Sequence, residues 1–267
     1  MRSRSWGGHV STEFNLGDFF PELGGFAHKG IFDGIGRPWD VLANIHGYIF
    51  THFPATGGAA LPAGMERNGD ALFCAGETTL KQDLDYRPLH IFIGAGTKIE
   101  PAAYIKGPAL IGRKCEIRQG AYLRGDLITG DHCTLGHTTE IKNSILMNHT
   151  EAGHFNYIGD SVLGSYVNLG AGTKIANLKF RSPEAKKEAS FPEITFVLNG
   201  KTVRTGIAKF GAVIGDHCEL GCNSVTSPAA LLEEQCWVYP NTALPSGYYP
   251  KKSFIRPKNL KPEIGKR

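Results

Sequence analysis

Four histidines stand in two pairs of identical spacing, His132 with His137 and His149 with His154. Imidazole is the side chain that exchanges a proton near neutral pH, and it is also a common metal ligand. Two cations, Arg124 and Lys142, lie close by in the chain, and His154 sits in the run Ala152-Gly153-His154-Phe155-Asn156-Tyr157-Ile158-Gly159-Asp160. The glycine before His154 removes bulk near the ring, and Tyr157 follows within the same run. A titratable base beside a cation pair suits acyl transfer to an amine on a phosphorylated substrate. The cations would hold the phosphate and the base would take the proton of the amine. The two His-x4-His spacings also invite zinc. A catalytic zinc takes three protein ligands and keeps an open position. No third histidine is obvious, and Arg124 and Lys142 would oppose a metal hydroxide.

Such residues need a scaffold, and the chain announces one by its period. An aliphatic residue recurs in six-residue steps at Ile93, Ile99, Ile105, Ile111, Ile117 and Leu123, lapses at Thr129, and returns at Leu135 and Ile141. Small residues follow four positions later, as at Thr97, Ala103, Ala109, Cys115, Ala121 and Cys133. The pattern resumes at Ile214, Leu220, Thr226, Leu232, Val238 and Leu244. This is the period of neither an amphipathic helix nor a simple hairpin sheet. It is the period of a parallel β-helix built from hexapeptides, whose coils pack mainly on their neighbours, so function is expected on the outer faces.

Between Ile141 and Ile175 two steps shorten to five residues, Ile141 to Leu146 and Ile158 to Leu163. With three steps to a coil, Arg124 and Lys142 fall at the second position of one face in adjacent coils, and Asn177 comes off the same face. Neighbouring strands lie about 4.8 Å apart, so the two cations repel unless an anion bridges them. His137, His154 and Ala171 form one outward column, and His132 and His149 form another.

The 34 glycines among 267 residues suit a fold with a corner every six residues. A net charge of +4 argues against a nucleic-acid grip. No run of eighteen apolar residues and no signal peptide is seen, so the expectation is a soluble, cytoplasmic chain that engages no membrane. Cys115, Cys133, Cys218 and Cys236 occupy the small position of a hexad and read as compact core residues rather than disulfide or metal partners.

The organisation follows from where the hexads stop. Residues 1–70 form an N-terminal extension with a helix near 38–52, begun by Arg37-Pro38-Trp39-Asp40 and ended by Pro54, and Gly57 to Gly64 reads as loop. Residues 71–250 form the solenoid, entered through a poorly formed first coil. It is interrupted by an excursion over 178–207 with a charged stretch and a hairpin turning at Asn199-Gly200. Long excursions from regular scaffolds are often functional. Residues 251–267 form a tail with seven basic residues and one acidic residue, read either as a solvated end or as a phosphate contact.

Several of these residues carry a resemblance to a known family. Glu140-Ile141-Lys142, the run Glu151 to Asp160, Val167-Asn168-Leu169-Gly170-Ala171-Gly172-Thr173 and Asn177, with Arg124 upstream, look like the acetyltransferase domain of glucosamine-1-phosphate acetyltransferases. They look most like the archaeal-type sugar-1-phosphate nucleotidylyltransferase/acetyltransferases, in which a charged excursion follows an Ala-Asn-Leu segment. The resemblance covers about residues 37 to 250 and is specific over 124 to 177. It implies an all-β fold, a left-handed parallel β-helix of triangular section, and a homotrimer.

It also implies roles. His154 would be the general base on the sugar amine, and Arg124 and Lys142 the phosphate holders. Tyr157, Asn168 and Asn177 would position the sugar. Ala171 and Cys222 would lie beside the thioester of acetyl-CoA, the co-substrate, with no metal required, and backbone N–H groups at Gly170-Ala171-Gly172 would stabilise the oxyanion.

The sequence departs from the family in two places. It shows no nucleotidylyltransferase domain with a glycine-rich loop, so a second, nucleotidyl-transfer activity is not supported, and a separate nucleotidylyltransferase stays open as a partner. Cys222 stands where relatives often carry serine, and a thiol is a weaker hydrogen-bond donor. Two other classes stay open. One is a metal enzyme like the γ-class carbonic anhydrases, and the other is a non-catalytic solenoid serving as an assembly or regulatory subunit.

Overall fold

The computed structural model describes residues 14–53 and 60–257. Pro54, residues 57–59 of the loop read over 57–64, and the tail beyond Pro257 lie outside the described residues. The hexads wind into a three-sided solenoid of parallel strands. One wall stacks Ile105, Leu123, Ile141, Ile158, Ile175, Thr226 and Leu244 as an inward column. A second stacks Ile99, Ile117, Leu135, Ala152, Leu169, Leu220, Val238 and Ile255. The third stacks Ile93 on Ile111, Thr129 on Leu146 and Leu163, and Ile214 on Leu232. These columns meet in one buried core. Thr129, the lapse in the aliphatic rule, is tolerated there because its hydroxyl accepts the Gly112 N–H at 3.1 Å.

The two five-residue steps sit side by side. Strands Glu140–Leu146 and Tyr157–Leu163 pair along their length, from Glu140 opposite Tyr157 to Leu146 opposite Leu163. Each carries its corner inside the strand, at Asn143 and Asp160, both in the left-handed region at φ +42° and +51°. Asn and Asp tolerate that conformation better than most residues.

The solenoid starts with reversed strands rather than an imperfect coil. Ala71–Cys74 runs antiparallel to Tyr104–Lys106, Thr78–Thr79 to Lys98–Ile99, and Leu84–Tyr86 to Ile91–Ile93. Each wall therefore ends in an antiparallel cap, which blunts the open edge of a parallel stack. At the other end, strand Phe254–Ile255 still pairs with Trp237–Val238, so the coils run into the stretch read in the sequence as tail.

Residues 14–53 lie across the outside of the third wall. The helix expected near 38–52 is divided into a 3₁₀ turn, Asp40–Ala43, and an α-helix, Ile45–His52. Asn44, a weak helix former, stands at the break and makes no side-chain cap. Trp39, fully buried, donates its indole N–H to the Thr205 carbonyl at 3.2 Å. The excursion joins this layer. After a short helix, Pro183–Lys187, capped by Ser182, the hairpin Thr195–Leu198 with Lys201–Arg204 buries Ile194, Phe196 and Leu198 against the same wall. Among the described residues no helix is long and apolar enough to cross a membrane.

Candidate active site

The corner between the second wall and the first brings the chemistry together. His154 ends strand Glu151–His154 on one wall, and Tyr157 begins the next strand on the other. Asn156 pins the turn between them. Its Oδ1 accepts the His154 N–H at 3.1 Å, and its buried Nδ2 donates to the Gly170 carbonyl at 2.9 Å. The corner repeats coil after coil. His137 pairs in register with His154, the Gly172 N–H reaches the His154 carbonyl at 2.9 Å, and the Asn223 N–H reaches the Ala171 carbonyl at 2.8 Å. The Asn241 N–H then reaches Cys222. His137, His154, Ala171 and Cys222 thus stand in one column at one corner. Cys222 is the exposed cysteine, and the other five are buried.

The two histidines of the column differ. The His137 ring is tied to the Gln119 carbonyl through Nδ1 at 3.0 Å and meets the edge of Phe155. Among the described residues the His154 ring has no hydrogen-bond partner, and its side chain is exposed. It therefore keeps a nitrogen free to accept a proton.

Arg124, Lys142, Tyr157 and Asn177 share the adjoining wall, as the stacking arithmetic expects, but the cations are not bare. Arg124 is bound to Glu140 at 2.6 Å, and Lys142 to Asp160 at 2.7 Å. The repulsion expected between stacked cations is met by carboxylates of the chain itself. The hydrogen bond that Arg124 donates to Glu140 holds the Arg124 pKa above its ordinary value. Burial, and then the Glu140 charge, push the Tyr157 pKa up, so the group stays a neutral phenol that can donate. That phenol faces Asn177 Oδ1 at 3.4 Å.

Asn168 stands apart from this cluster. It projects from the second wall, where its Nδ2 donates to Glu219 at 2.8 Å. It lines a groove of about 1170 Å³ with His149, Tyr166, His217, Glu219 and Trp237. The other histidine column borders that groove as a ladder of parallel rings. His132 stacks on His149 at 4.8 Å, His149 on Tyr166 at 4.6 Å, and Tyr166 on His217 at 4.9 Å. Among the described residues no three His, Cys, Asp or Glu side chains are grouped to hold a metal ion. The corner Gly170-Ala171-Gly172 spends its Gly170 N–H on the Leu220 carbonyl and its Gly172 N–H on His154, which leaves the Ala171 N–H.

Glu140 and Asp160 were quoted in the sequence motif but given no role. The signal was available in principle. Glu140 and Asp160 each fall one coil from a cation, but in register Glu140 faces Tyr122 and Lys142 faces Gly159, so each ion pair is made on the diagonal and spacing alone does not show it.

No protein-family model matches the chain. Among curated proteins it is similar to a bifunctional sugar-1-phosphate nucleotidylyltransferase/acetyltransferase of Sulfurisphaera tokodaii, 34% identical over 110 residues, covering 41% of this chain and 25% of the relative. A bifunctional protein GlmU of Methanococcus vannielii is 28% identical over 240 residues, 88% of this chain and 50% of the relative. One from a Picosynechococcus species is 32% identical over 133 residues, 50% of this chain and 20% of the relative. The chain spans half or less of the length of these relatives. The fold is a three-sided solenoid of parallel strands wound from six-residue steps. Over these spans the chain is similar to proteins named as a bifunctional sugar-1-phosphate nucleotidylyltransferase/acetyltransferase and as bifunctional GlmU proteins.

Proposed function

We propose that this chain transfers the acetyl group of acetyl-CoA to the amine of an amino-sugar 1-phosphate such as glucosamine 1-phosphate, in nucleotide-sugar synthesis. The observation that carries the reading is the unpartnered His154 ring at a corner whose neighbouring wall presents Arg124, Lys142, Tyr157 and Asn177. The relatives named above as acetyltransferases support it.

The reaction needs little from the protein beyond positioning and one base. The neutral amine attacks the thioester carbonyl, and a C–N bond forms as the carbonyl oxygen gains charge. The Ala171 N–H is the donor left at that corner for the oxyanion. His154 takes the proton of the amine as the tetrahedral intermediate forms. The C–S bond then breaks, the proton goes to the departing thiolate, and CoA leaves as the thiol. Arg124 and Lys142 hold the phosphate, each sharing its charge with a carboxylate. Tyr157 and Asn177 position the sugar, with Asn168 on the adjoining wall. Cys222, next to Ala171 in the column, contacts the thioester side.

His154 is exposed in a single chain, so a cleft around it requires a second wall. A homotrimer, each copy closing the corner of the next, belongs to this reading. Sedimentation at micromolar concentration is expected to give a trimer.

The paired state of Arg124 and Lys142 favours one alternative, a solenoid that serves only as an assembly subunit. A thiol-release assay with acetyl-CoA against a panel of amino-sugar phosphates separates the two. Release with an amino-sugar 1-phosphate supports transfer, and no release with any member of the panel leaves the scaffold role.

A further inference from the structure

Asp160 belongs to no role derived so far, yet it is among the most constrained residues on this wall. Its side chain is buried, with the residue 3% exposed, at a left-handed corner. Its Oδ2 accepts from Lys142 Nζ at 2.7 Å and from Asn177 Nδ2 in a short hydrogen bond, and its Oδ1 accepts from Asn143 Nδ2 at 2.9 Å. Its own carbonyl accepts the Gly211 N–H at 2.8 Å, where the chain rejoins the solenoid after the excursion. A buried carboxylate must be paired and hydrogen-bonded or it destabilises the fold. Here the three side-chain donors come from the two flanking coils, Lys142 and Asn143 from one and Asn177 from the other, and one of them is a cation that still reaches solvent, since the Lys142 side chain is 19% exposed.

The consequence for Asn177 is directional. With its NH₂ committed to Asp160, its carbonyl oxygen must face the other way, towards the Tyr157 hydroxyl at 3.4 Å. The consequence for Lys142 is that a long, flexible side chain is held at one point by charge. Lysine alone gives no such definition.

We infer that Asp160 is the positioning residue of this wall: from beneath, it aims the Lys142 ammonium at the substrate phosphate and fixes the Asn177 amide with its oxygen towards the Tyr157 hydroxyl. The assignment of a sugar phosphate to the wall rests on the acetyl-transfer reading above. The aiming of the two side chains does not. Asp160 touches no reacting atom, so it acts on binding of the phosphorylated sugar and leaves the thioester side alone.

The test uses the full chain with Asp160→Asn, Lys142→Met and the double variant. Loss of a charge-assisted hydrogen bond is expected to raise KM for glucosamine 1-phosphate about 10- to 100-fold. The kcat and the KM for acetyl-CoA should move by less than about threefold. In the double variant Asp160→Asn should add less than it does alone, because part of its effect passes through Lys142. Strict additivity, or an equal rise in both KM values, overturns the assignment. A crystal structure of the Asp160→Asn protein reads the same point without turnover: Lys142 Nζ and Asn177 Nδ2 should leave their positions by more than about 1 Å. Side chains that stay in place overturn it. Displacement in a chain that acetylates no amino-sugar phosphate removes the acetyl-transfer reading and keeps the positioning role. Should Asp160→Asn fail to fold, Asn143→Ala removes one donor to the same carboxylate and is expected to give the same split at about three- to tenfold. Its absence likewise overturns the assignment.

Discussion

The wall that carries Arg124, Lys142 and Tyr157 and the wall that carries Leu110, Ile128 and Ile145 have the same interior and opposite exteriors. On the first, the residues one place before the inward column are Tyr122, Glu140, Tyr157 and Lys174, which stand next to each other across the coils. On the other they are Leu110, Ile128, Ile145, Val162, Val213 and Leu231, an apolar column running the length of the wall. The N-terminal layer and the hairpin cover that column with Phe19, Phe20, Phe26, Trp39, Phe196 and Phe210. One outward position per hexad therefore decides whether a wall stays polar or is covered by another part of the chain. The covered wall needs two cores, and the polar wall needs one core and a set of paired charges.

The sharpest break in this comparison is at the corner of the polar wall. Replacing His154 with Ala is expected to lower kcat by about 10²–10⁴-fold, the usual range for general-base assistance, with the fold intact. His137→Ala, one coil away with its ring tied to Gln119, should cost far less. Near-normal kcat in both variants would remove the mechanism and leave the scaffold role.

On the covered wall the largest effect is expected from Trp39→Ala. The ring is fully buried, packs against Phe14, Phe196 and Phe210, and ties the layer to Thr205. The loss should be about 3–5 kcal/mol in urea unfolding. An effect below about 1 kcal/mol would mean that the layer contributes little to the stability of the wall.

The attachment of that layer carries its own pH signature. Asp216, fully buried, accepts the Glu22 N–H and the Ser165 N–H, each at 2.6 Å, so it stitches the N-terminal segment to a solenoid corner. Burial pushes its pKa up to about 6 from 3.8, against the pull of the two N–H groups. The folded chain keeps this proton where the unfolded chain has lost it. Relative to Asp216→Asn, the native protein should therefore gain stability as pH falls from about 6 to about 4, and the difference should be flat above that window. The total is about 2–3 kcal/mol. Denaturant titrations of both proteins at several pH values check it, and a constant difference would place the carboxyl at its ordinary value in the fold.

The smallest expected effect concerns the phosphate. Lys142→Ala should raise KM for the phosphorylated sugar about 10- to 100-fold and hardly change that for acetyl-CoA. Equal effects on both substrates would sink the phosphate assignment.

Much of the scaffold was legible because a solenoid repeats locally. The six-residue steps predicted the inward columns, and the two short steps predicted that Ile141 stacks on Ile158 and Leu146 on Leu163. The histidine columns followed from the same count, His137 beside His154 and His132 beside His149. The covered wall is legible in the sequence too. Pairs such as Leu110-Ile111, Ile145-Leu146, Val162-Leu163, Val213-Ile214 and Leu231-Leu232 put two apolar residues side by side at every third hexad, where the other walls alternate apolar with polar. An outward apolar column needs a cover, and the aromatic-rich stretch from Phe14 to Trp39 supplies it.

The sequence by itself determined the period, the three-sided stacking and the set of side chains that share each face, because these depend only on distance along the chain. What the tertiary structure decided is who pairs with whom across coils and layers. The Arg124–Glu140 and Lys142–Asp160 pairs, the free ring of His154 against the tied ring of His137, and the seating of the N-terminal layer on Leu110, Ile128 and Ile145 are of this kind. Such contacts turn on register to within one residue and on distances of a few ångströms between segments far apart in sequence. Charge pairing and burial fall off over those same distances, so residue type and spacing alone leave them open.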